Sequence, residues 1–288
     1  MVVLNGRDII LTGVPRAGTT LACQLIHQCD GSVALFEPMD MTALHYGDRQ
    51  AAIAGVQRFF VDARKQLLAE GTAPSMQVDG GIPDNSFASA MDTSGHRRLL
   101  ASPGLIRVEP KPQAGFTLVV KHNASFTALL PELAANLETL AIVRHPLSVL
   151  ASWNSVELPV REGRVPAGER LDPLLATRLD GEQSRIGRQL IVLEWFFDRF
   201  ARFLTRADIL RYEDIIATQG QALLTRAGLC GQSLPQLTER NASLLYPRGE
   251  IPMLANALCS RGGSWERWYP SASIAPLAAR MLAALDDD

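Results

Sequence analysis

The chain is short of the residues that staple or metallate a fold. Its 288 residues include four cysteines, Cys23, Cys29, Cys230 and Cys259, and five histidines, with no Cys-x-x-Cys pair and no histidine cluster. Those spacings spell neither a redox pair nor a zinc site, so reduced, buried cysteines and no metal are expected. Long apolar runs are missing too. Nothing approaches the roughly 18 apolar residues of a membrane span, and the opening Met-Val-Val-Leu-Asn-Gly has no signal-peptide core. A cytoplasmic protein with no membrane partner is expected. Neither charge predominates, since 28 basic and 30 acidic residues are intermixed. No stripe is offered to nucleic acid or to an anionic bilayer, and any anion must be met by local geometry. Internal repeats and low-complexity tracts are absent. Asn123-Ala-Ser and Asn241-Ala-Ser match the glycosylation pattern, which carries no weight without secretion.

What is present is a series of short apolar runs separated mostly by helical patterns. Residues 9–13, 32–35, 117–121, 139–143 and 208–211 read as core strands. Such alternation predicts an α/β fold, a single domain spanning 1–288 with a central, mainly parallel sheet flanked by helices. A chain of this length buries about three quarters of its extended surface without staples. The clearest helices are 48–69, 182–205 and 274–285; the second carries a wide stripe of Ile186, Leu190, Leu193, Phe196, Phe197, Phe200 and Phe203 that reads as core packing. Two stretches lack periodicity, 71–104, rich in Gly and Pro as far as Asn85, and 158–181, of mixed charge. Both read as loops or lids that wall an acceptor pocket, or as surface insertions.

The strongest signal is at residues 8–20, Asp-Ile-Ile-Leu-Thr-Gly-Val-Pro-Arg-Ala-Gly-Thr-Thr. A buried strand empties into a turn, and a helix is expected from about Thr19. Its unpaired first amides, with those of Arg16, Ala17, Gly18, Thr19 and Thr20, would surround a phosphate or sulfate. Gly13 and Gly18 have the G-x-x-x-x-G spacing of a P-loop, yet Thr19 stands where nucleoside triphosphatases need lysine. The cation is Arg16, inside the loop. A second strand-turn-helix follows: the run 139–143, then Arg144-His145-Pro146, then a helix over 147–157 with Ser152 eight residues after Arg144. Both side chains would point into one crevice at the strand's carboxyl end and share a phosphate.

Gly-Val-Pro-Arg-Ala-Gly-Thr-Thr and Arg-His-Pro-Leu-Ser-Val-Leu-Ala-Ser resemble, in that order, the phosphosulfate loop and the 3′-phosphate motif of the sulfotransferases that use 3′-phosphoadenosine 5′-phosphosulfate (PAPS). The loop is of the Arg-x-Gly-Thr-Thr type of the tyrosylprotein and bacterial members. The resemblance implies the P-loop nucleotide-kinase-like sulfotransferase fold, PAPS as donor, adenosine 3′,5′-bisphosphate (PAP) as product and no metal. It places Arg16 at the bridging oxygen of the donor, and Arg144 with Ser152 on the 3′-phosphate. Two further segments are similar to family motifs. Asp-Ile-Leu-Arg-Tyr-Glu-Asp at 208–214 implies that Tyr212 lies near the adenine, and Ser-Arg-Gly-Gly-Ser-Trp at 260–265 implies cofactor contacts from Arg261, Gly262 and Gly263. Leu21 stands where the cytosolic members carry an adenine-stacking tryptophan.

A weak hydroxyl nucleophile needs a base within hydrogen-bond reach, and there are two candidates. Glu37, in Leu-Phe-Glu-Pro, resembles the catalytic glutamate of the tyrosylprotein and bacterial members; His122, in Val-Val-Lys-His-Asn, resembles the Lys-x-His base of the cytosolic ones with one residue missing. Glu37 is favoured, because the Arg-type loop and the Glu-Pro segment go together in that branch. Lys121 would assist as charge develops. The implied activity is sulfuryl transfer to a hydroxyl or amine of a small metabolite, since basic tracts for a polyanionic acceptor are lacking. A P-loop kinase using ATP and a non-catalytic nucleotide-binding module are the alternatives. Acceptor identity and oligomeric state are not written in the sequence.

Overall fold

The computed structural model describes residues 6–41, 44, 47–93, 95–229 and 235–283. Its strands are β1 (Asp8–Gly13), β2 (Ser32–Phe36), β3 (Thr72–Gln77), β4 (Phe87–Met91), β5 (Arg97–Leu99), β6 (Ser102–Arg107), β7 (Thr117–Lys121), β8 (Glu138–Val143) and β9 (Ile209–Arg211). Helices α1 (Thr19–His27), α2 (Arg49–Glu70), α3 (Ala124–Ala128), α4 (Leu130–Leu133), α5 (Pro146–Asn154), α6 (Pro166–Leu171) and α7 (Pro173–Asp180) fill the first two thirds. The rest holds α8 (Arg185–Phe203), α9 (Tyr212–Ala217), α10 (Gln221–Arg226), α11 (Ile251–Arg261) and α12 (Ile274–Ala283).

The five expected runs form one sheet in the order β2-β7-β1-β8-β9, with every pairing parallel. Apart from Asp8 and Glu138, every residue of β1, β2, β7 and β8 is buried. Side chains alternate between the two faces of a strand, so both faces are covered, as the continuous apolar runs require. The expected α/β architecture is therefore the one observed. From β1 the chain passes through α1 to β2 at one edge, while β8 lies on the far side of β1. That reversal opens a crevice beyond the carboxyl ends of the strands, where a site is expected in open α/β sheets.

Local chemistry sets the helix ends. Asp48 caps α2 by accepting from the Ala51 amide at 3.0 Å, and Gly71 ends it in the left-handed region at φ 72°. The α8 stripe packs inward as expected except for its last member, Phe203, which is 41% exposed at the helix end. The C-terminal helix is described to Ala283, so residues 284 and 285 of the expected element lie outside the described residues.

Two stretches read as loops are structured. From 71–104 the chain forms β3, β4, β5 and the start of β6; β3 pairs with β6 and β4 with β5, both antiparallel. The Ser75 hydroxyl ties this ribbon to the sheet, accepting from the Phe36 amide at 3.0 Å and lying 3.2 Å from the Phe36 carbonyl. Two-stranded ribbons with exposed outer faces show little alternation, and Pro74 and Pro103 sit in them as edge strands allow. The stretch 158–181 is a 3₁₀ turn (Pro159–Glu162) followed by α6 and α7, each starting with a proline in its first turn. Pro159, Pro166 and Pro173 mark these starts in the sequence, because the first helical position tolerates a missing N–H.

Cys23 and Cys29 are buried as expected, whereas Cys259 is exposed on α11 and Cys230 lies outside the described residues. No helix among the described residues is long and apolar enough to cross a membrane.

Opposite the crevice, Arg64 of α2 is buried and donates to the Phe116 carbonyl at 2.7 Å, the Arg7 carbonyl at 2.9 Å and the Asp8 carboxylate. Arg64→Met strands all three acceptors. The expected loss is about 3 kcal/mol of stability, read as a lower urea midpoint with an unchanged m-value.

Candidate active site

Each strand of the main sheet delivers a site residue at its carboxyl end. The turn after β1 is held from both sides: the Val14 amide donates to the Ile142 carbonyl of β8 at 3.1 Å, and Trp153 of α5 donates to the Pro15 carbonyl at 2.8 Å. A Cβ on Gly13 would lie 2.5 Å from the Ile142 oxygen, and one on Gly18 2.8 Å from the Tyr212 ring. Both positions therefore need glycine. Gly18, at φ 91°, is the N-cap of α1 and gives it no side-chain cap. The first turn of α1 is left with unpaired amides, and Gly18, Thr19 and Thr20 line the cavity above it.

Arg16 stands in the left-handed region at φ 70°. Its Nε donates to Ser152 Oγ of α5 at 3.1 Å, Nη1 donates to Asn85 Oδ1 at 3.3 Å, and the guanidinium lies over the Phe87 ring. Among the described residues no carboxylate pairs with it. Burial first, then nearby Arg97 and more weakly Arg144, push it down to about 9 against the opposing effect of Tyr246. The two sequence motifs thus touch directly instead of facing each other across a ligand's length.

Arg144 follows β8 and is buried. Nε donates to Asn241 at 2.6 Å, Nη1 to the Arg16 carbonyl at 3.2 Å, and Nη2 to the Arg240 carbonyl at 2.5 Å and to Tyr246 at 3.1 Å. Four of its five N–H groups are committed, leaving one on Nη1. Its face lies 4.3 Å from the Tyr212 ring centre, so that ring is a buried support for the cation as well as part of the cavity lining.

Glu37 follows β2, at φ 43°, with its amide donating to the Lys121 carbonyl at 2.8 Å. Lys121 Nζ, at the end of β7, donates to Glu37 Oε1 at 2.6 Å. Burial raises the Glu37 carboxyl, but Lys121, through charge and hydrogen bond, and His122 outweigh it and hold it below the ordinary value. His122 is buried, accepts the Met39 amide on Nε2 at 3.2 Å, and is pushed down to about 4, chiefly by burial. With Nε2 occupied, the proton of the neutral ring belongs on Nδ1, which leaves no lone pair for a substrate.

A cavity of about 960 Å³ gathers Arg16, Gly18, Thr19, Thr20, Glu37, Lys121, Arg144, Ser152 and Tyr212. Ala17 is buried in the turn beneath it, its amide donating to Val14. Three expected cofactor residues are not brought there. Arg261 is exposed at the end of α11, and Gly262 and Gly263 pack by Glu266, Trp265 and Glu194 in the wall behind. Their Arg-Gly-Gly run ends a helix, with the Ser264 amide donating to Glu194 at 2.7 Å. In their stead the cavity takes Arg97 from β5 and Arg240 and Tyr246 from the segment 235–246. Neither was legible, since β5 is three residues long and 235–246 lacks regular structure. Among the described residues no cluster of three His, Cys, Asp or Glu could hold a metal.

No family model and no curated protein matches the chain. Among solved structures, sulfotransferase STF1 from Mycobacterium tuberculosis H37Rv overlaps it with a TM-score of 0.34 and 13% identity, covering 98% of this chain and 77% of that one.

Two tests follow from these electrostatics. Arg16→Met removes a desolvated cation that lacks a carboxylate, so the melting temperature without ligand should hold or rise, while the upward shift given by millimolar inorganic pyrophosphate should vanish. His145, which caps α5, is also pushed down to about 4, mainly by burial. His122 and His145 then stay neutral in the folded chain where an unfolded imidazole, at about 6.5, takes up a proton. Between pH 6.5 and 4 the unfolded state binds more protons, so stability should fall by about 1.4 kcal/mol per pH unit for each ring as the pH drops. Urea titrations across that range should show the slope, and His145→Asn should reduce it.

Proposed function

We propose that this protein is a sulfotransferase that moves a sulfuryl group from PAPS to an acceptor hydroxyl. The observation that carries the reading is the Arg16 guanidinium, set within the turn before α1 and bound to Ser152 of the second motif instead of to a carboxylate. Such a cation, beside an uncapped helix N-terminus, suits an anion whose charge grows as a bridging bond breaks. The residues present fit the donor: the α1 amides and Arg16 suit its 5′ end. Arg97, Arg240 and the remaining N–H of Arg144 suit a second phosphate, within a volume matching sites for molecules of that size.

The donor supplies a sulfuryl group on a phosphate leaving group. Arg16 and Lys121 hold the developing charge while the loop keeps the reacting atoms in line. Glu37 Oε1 is bound by Lys121, which leaves Oε2 to take the acceptor's proton. Because Lys121, through its charge and hydrogen bond, keeps the Glu37 carboxyl below its ordinary range, this base is ready throughout neutral pH. His122 lacks the free lone pair that the alternative role requires.

Calorimetric titration should show PAP binding at least ~10-fold tighter than ATP, a difference of about 1.4 kcal/mol; tight ATP binding with none for PAP would reverse the assignment in favour of a kinase. Glu37→Gln should lower turnover by ~100-fold or more with PAP affinity preserved. Near-normal turnover in that variant would hand the base role to His122.

A further inference from the structure

A second chamber of about 240 Å³ shares Pro15, Glu37, Asn123 and Leu158 with the large cavity. Its outer wall is apolar, built from Val160 of the 3₁₀ turn and from Val165, Pro166 and Ala167 at the start of α6. Glu37 thus borders both spaces, within reach of a molecule in the small chamber and bound to Lys121 of the large one.

Two further observations restrict what enters. Asn123 Oδ1 is buried without a hydrogen-bond partner, a costly state for a polar atom and one that a hydroxyl relieves. Either side of the amide serves, because a hydroxyl both donates and accepts. Arg164 also lines the chamber, but it is bound to Glu169 at 3.0 Å and Asp180 at 2.7 Å. An anionic acceptor would meet the Glu37 carboxylate with that cation already engaged. The volume lies below the roughly 300 Å³ at which sites for drug-sized ligands begin, which leaves space for about one substituted ring.

Resting on the sulfuryl-transfer reading above, we propose that this chamber is the acceptor subsite and that it takes a small uncharged molecule with a hydroxyl on an apolar body, oriented by Asn123. In the transfer, the acceptor oxygen forms its bond to sulfur as the bond from sulfur to the bridging oxygen breaks. The hydroxyl proton passes to Glu37, and the electron pair of the broken bond stays on the PAP phosphate. The weak basicity of Glu37 further favours phenols, which ionise near pH 10 as tyrosine does, over alkyl alcohols.

The test uses the full chain and 4-methylphenol, with 4-hydroxybenzoate and maltose as charged and bulky polar comparators. Calorimetry should show 4-methylphenol binding to the PAP-loaded protein, and its kcat/KM with labelled PAPS should exceed that of either comparator at least ~10-fold. Ala167→Trp, which fills the chamber, should abolish binding and turnover of 4-methylphenol with PAP affinity unchanged. Asn123→Leu should raise KM for 4-methylphenol at least ~10-fold, again with PAP affinity unchanged. PAP binding with a preference for 4-hydroxybenzoate or maltose, or with 4-methylphenol turnover unaltered in both variants, overturns the acceptor assignment alone. Absence of PAP binding by the unaltered chain overturns the donor reading and this proposal with it.

Discussion

The guanidinium of Arg144 is the contact on which the site depends. It reaches the Arg16 carbonyl in the first loop, Asn241 and the Arg240 carbonyl in the far wall, and the face of Tyr212 after β9. Segments more than ninety residues apart in sequence are joined by one side chain. Burial opposes its charge, yet Tyr246, Tyr212 and the carboxylates of Glu213 and Glu239 hold it above the ordinary arginine value. Hydrogen bonds from a charged donor contribute about 1.5–3 kcal/mol each, so the three that Arg144 gives to Arg240, Asn241 and Tyr246 help to order a wall that has no regular structure. Glu213 completes the arrangement. It accepts from the His145 amide at 3.0 Å, from Asn241 at 2.9 Å and from Tyr269 at 2.6 Å, which ties the α5 N-terminus to the C-terminal segment.

This frame separates two kinds of cation at one edge of the sheet. Lys121 is neutralised at 2.6 Å by Glu37 and Arg144 is held up by the nearby carboxylates of Glu213 and Glu239, whereas Arg16 bonds to neutral Ser152 and Asn85 and is lowered by burial and by nearby Arg97 and Arg144. An unpaired, partly desolvated charge at a helix N-terminus is unfavourable for folding, since the helix dipole is positive there too. The fold sustains it with Phe87 beneath the guanidinium and with the rest of the sheet buried on both faces. Such a local conflict between stability and charge is what the proposed anion site would require.

Much of this was legible because parallel sheets simplify the mapping from chain to space. Each central strand is a continuous apolar run, and parallel pairing brings all their carboxyl ends to one edge, so Arg16, Glu37, Lys121 and Arg144 converge once the strands are recognised. The ribbons stayed hidden because β3 pairs with β6 some thirty residues on and the short β4–β5 hairpin is mostly exposed. The wall at 235–246 stayed hidden because its order comes from Arg144 and Glu213, not from any pattern of its own. Arg261, Gly262 and Gly263 misled for the opposite reason: a motif-like run does structural work at the end of α11, where the Gly262 amide donates to the Leu258 carbonyl at 3.1 Å. Asn123 and Asn241 lay in plain view as Asn-Ala-Ser, yet their roles come from what the fold sets beside them.

Backbone strain points the same way as charge. Four residues other than glycine have positive φ, namely Arg16, Glu37, Asp79 and Gln219 among those described, and the first two are the pair proposed for leaving group and base. For an L-residue the left-handed region costs roughly 1–2 kcal/mol, and neither side chain is of the short polar kind that tolerates it. At Glu37 the strain is held by the hydrogen bond from its amide to the Lys121 carbonyl, the same residue that binds its carboxylate, so main chain and side chain are fixed together. At Arg16 it is held by Arg144 on the carbonyl and Ser152 on Nε. Relaxing either backbone would turn its side chain away from the crevice. The strain is therefore best understood as what aims these two groups, with the hydrogen bonds of the neighbouring strands and helix supplying the restoring force.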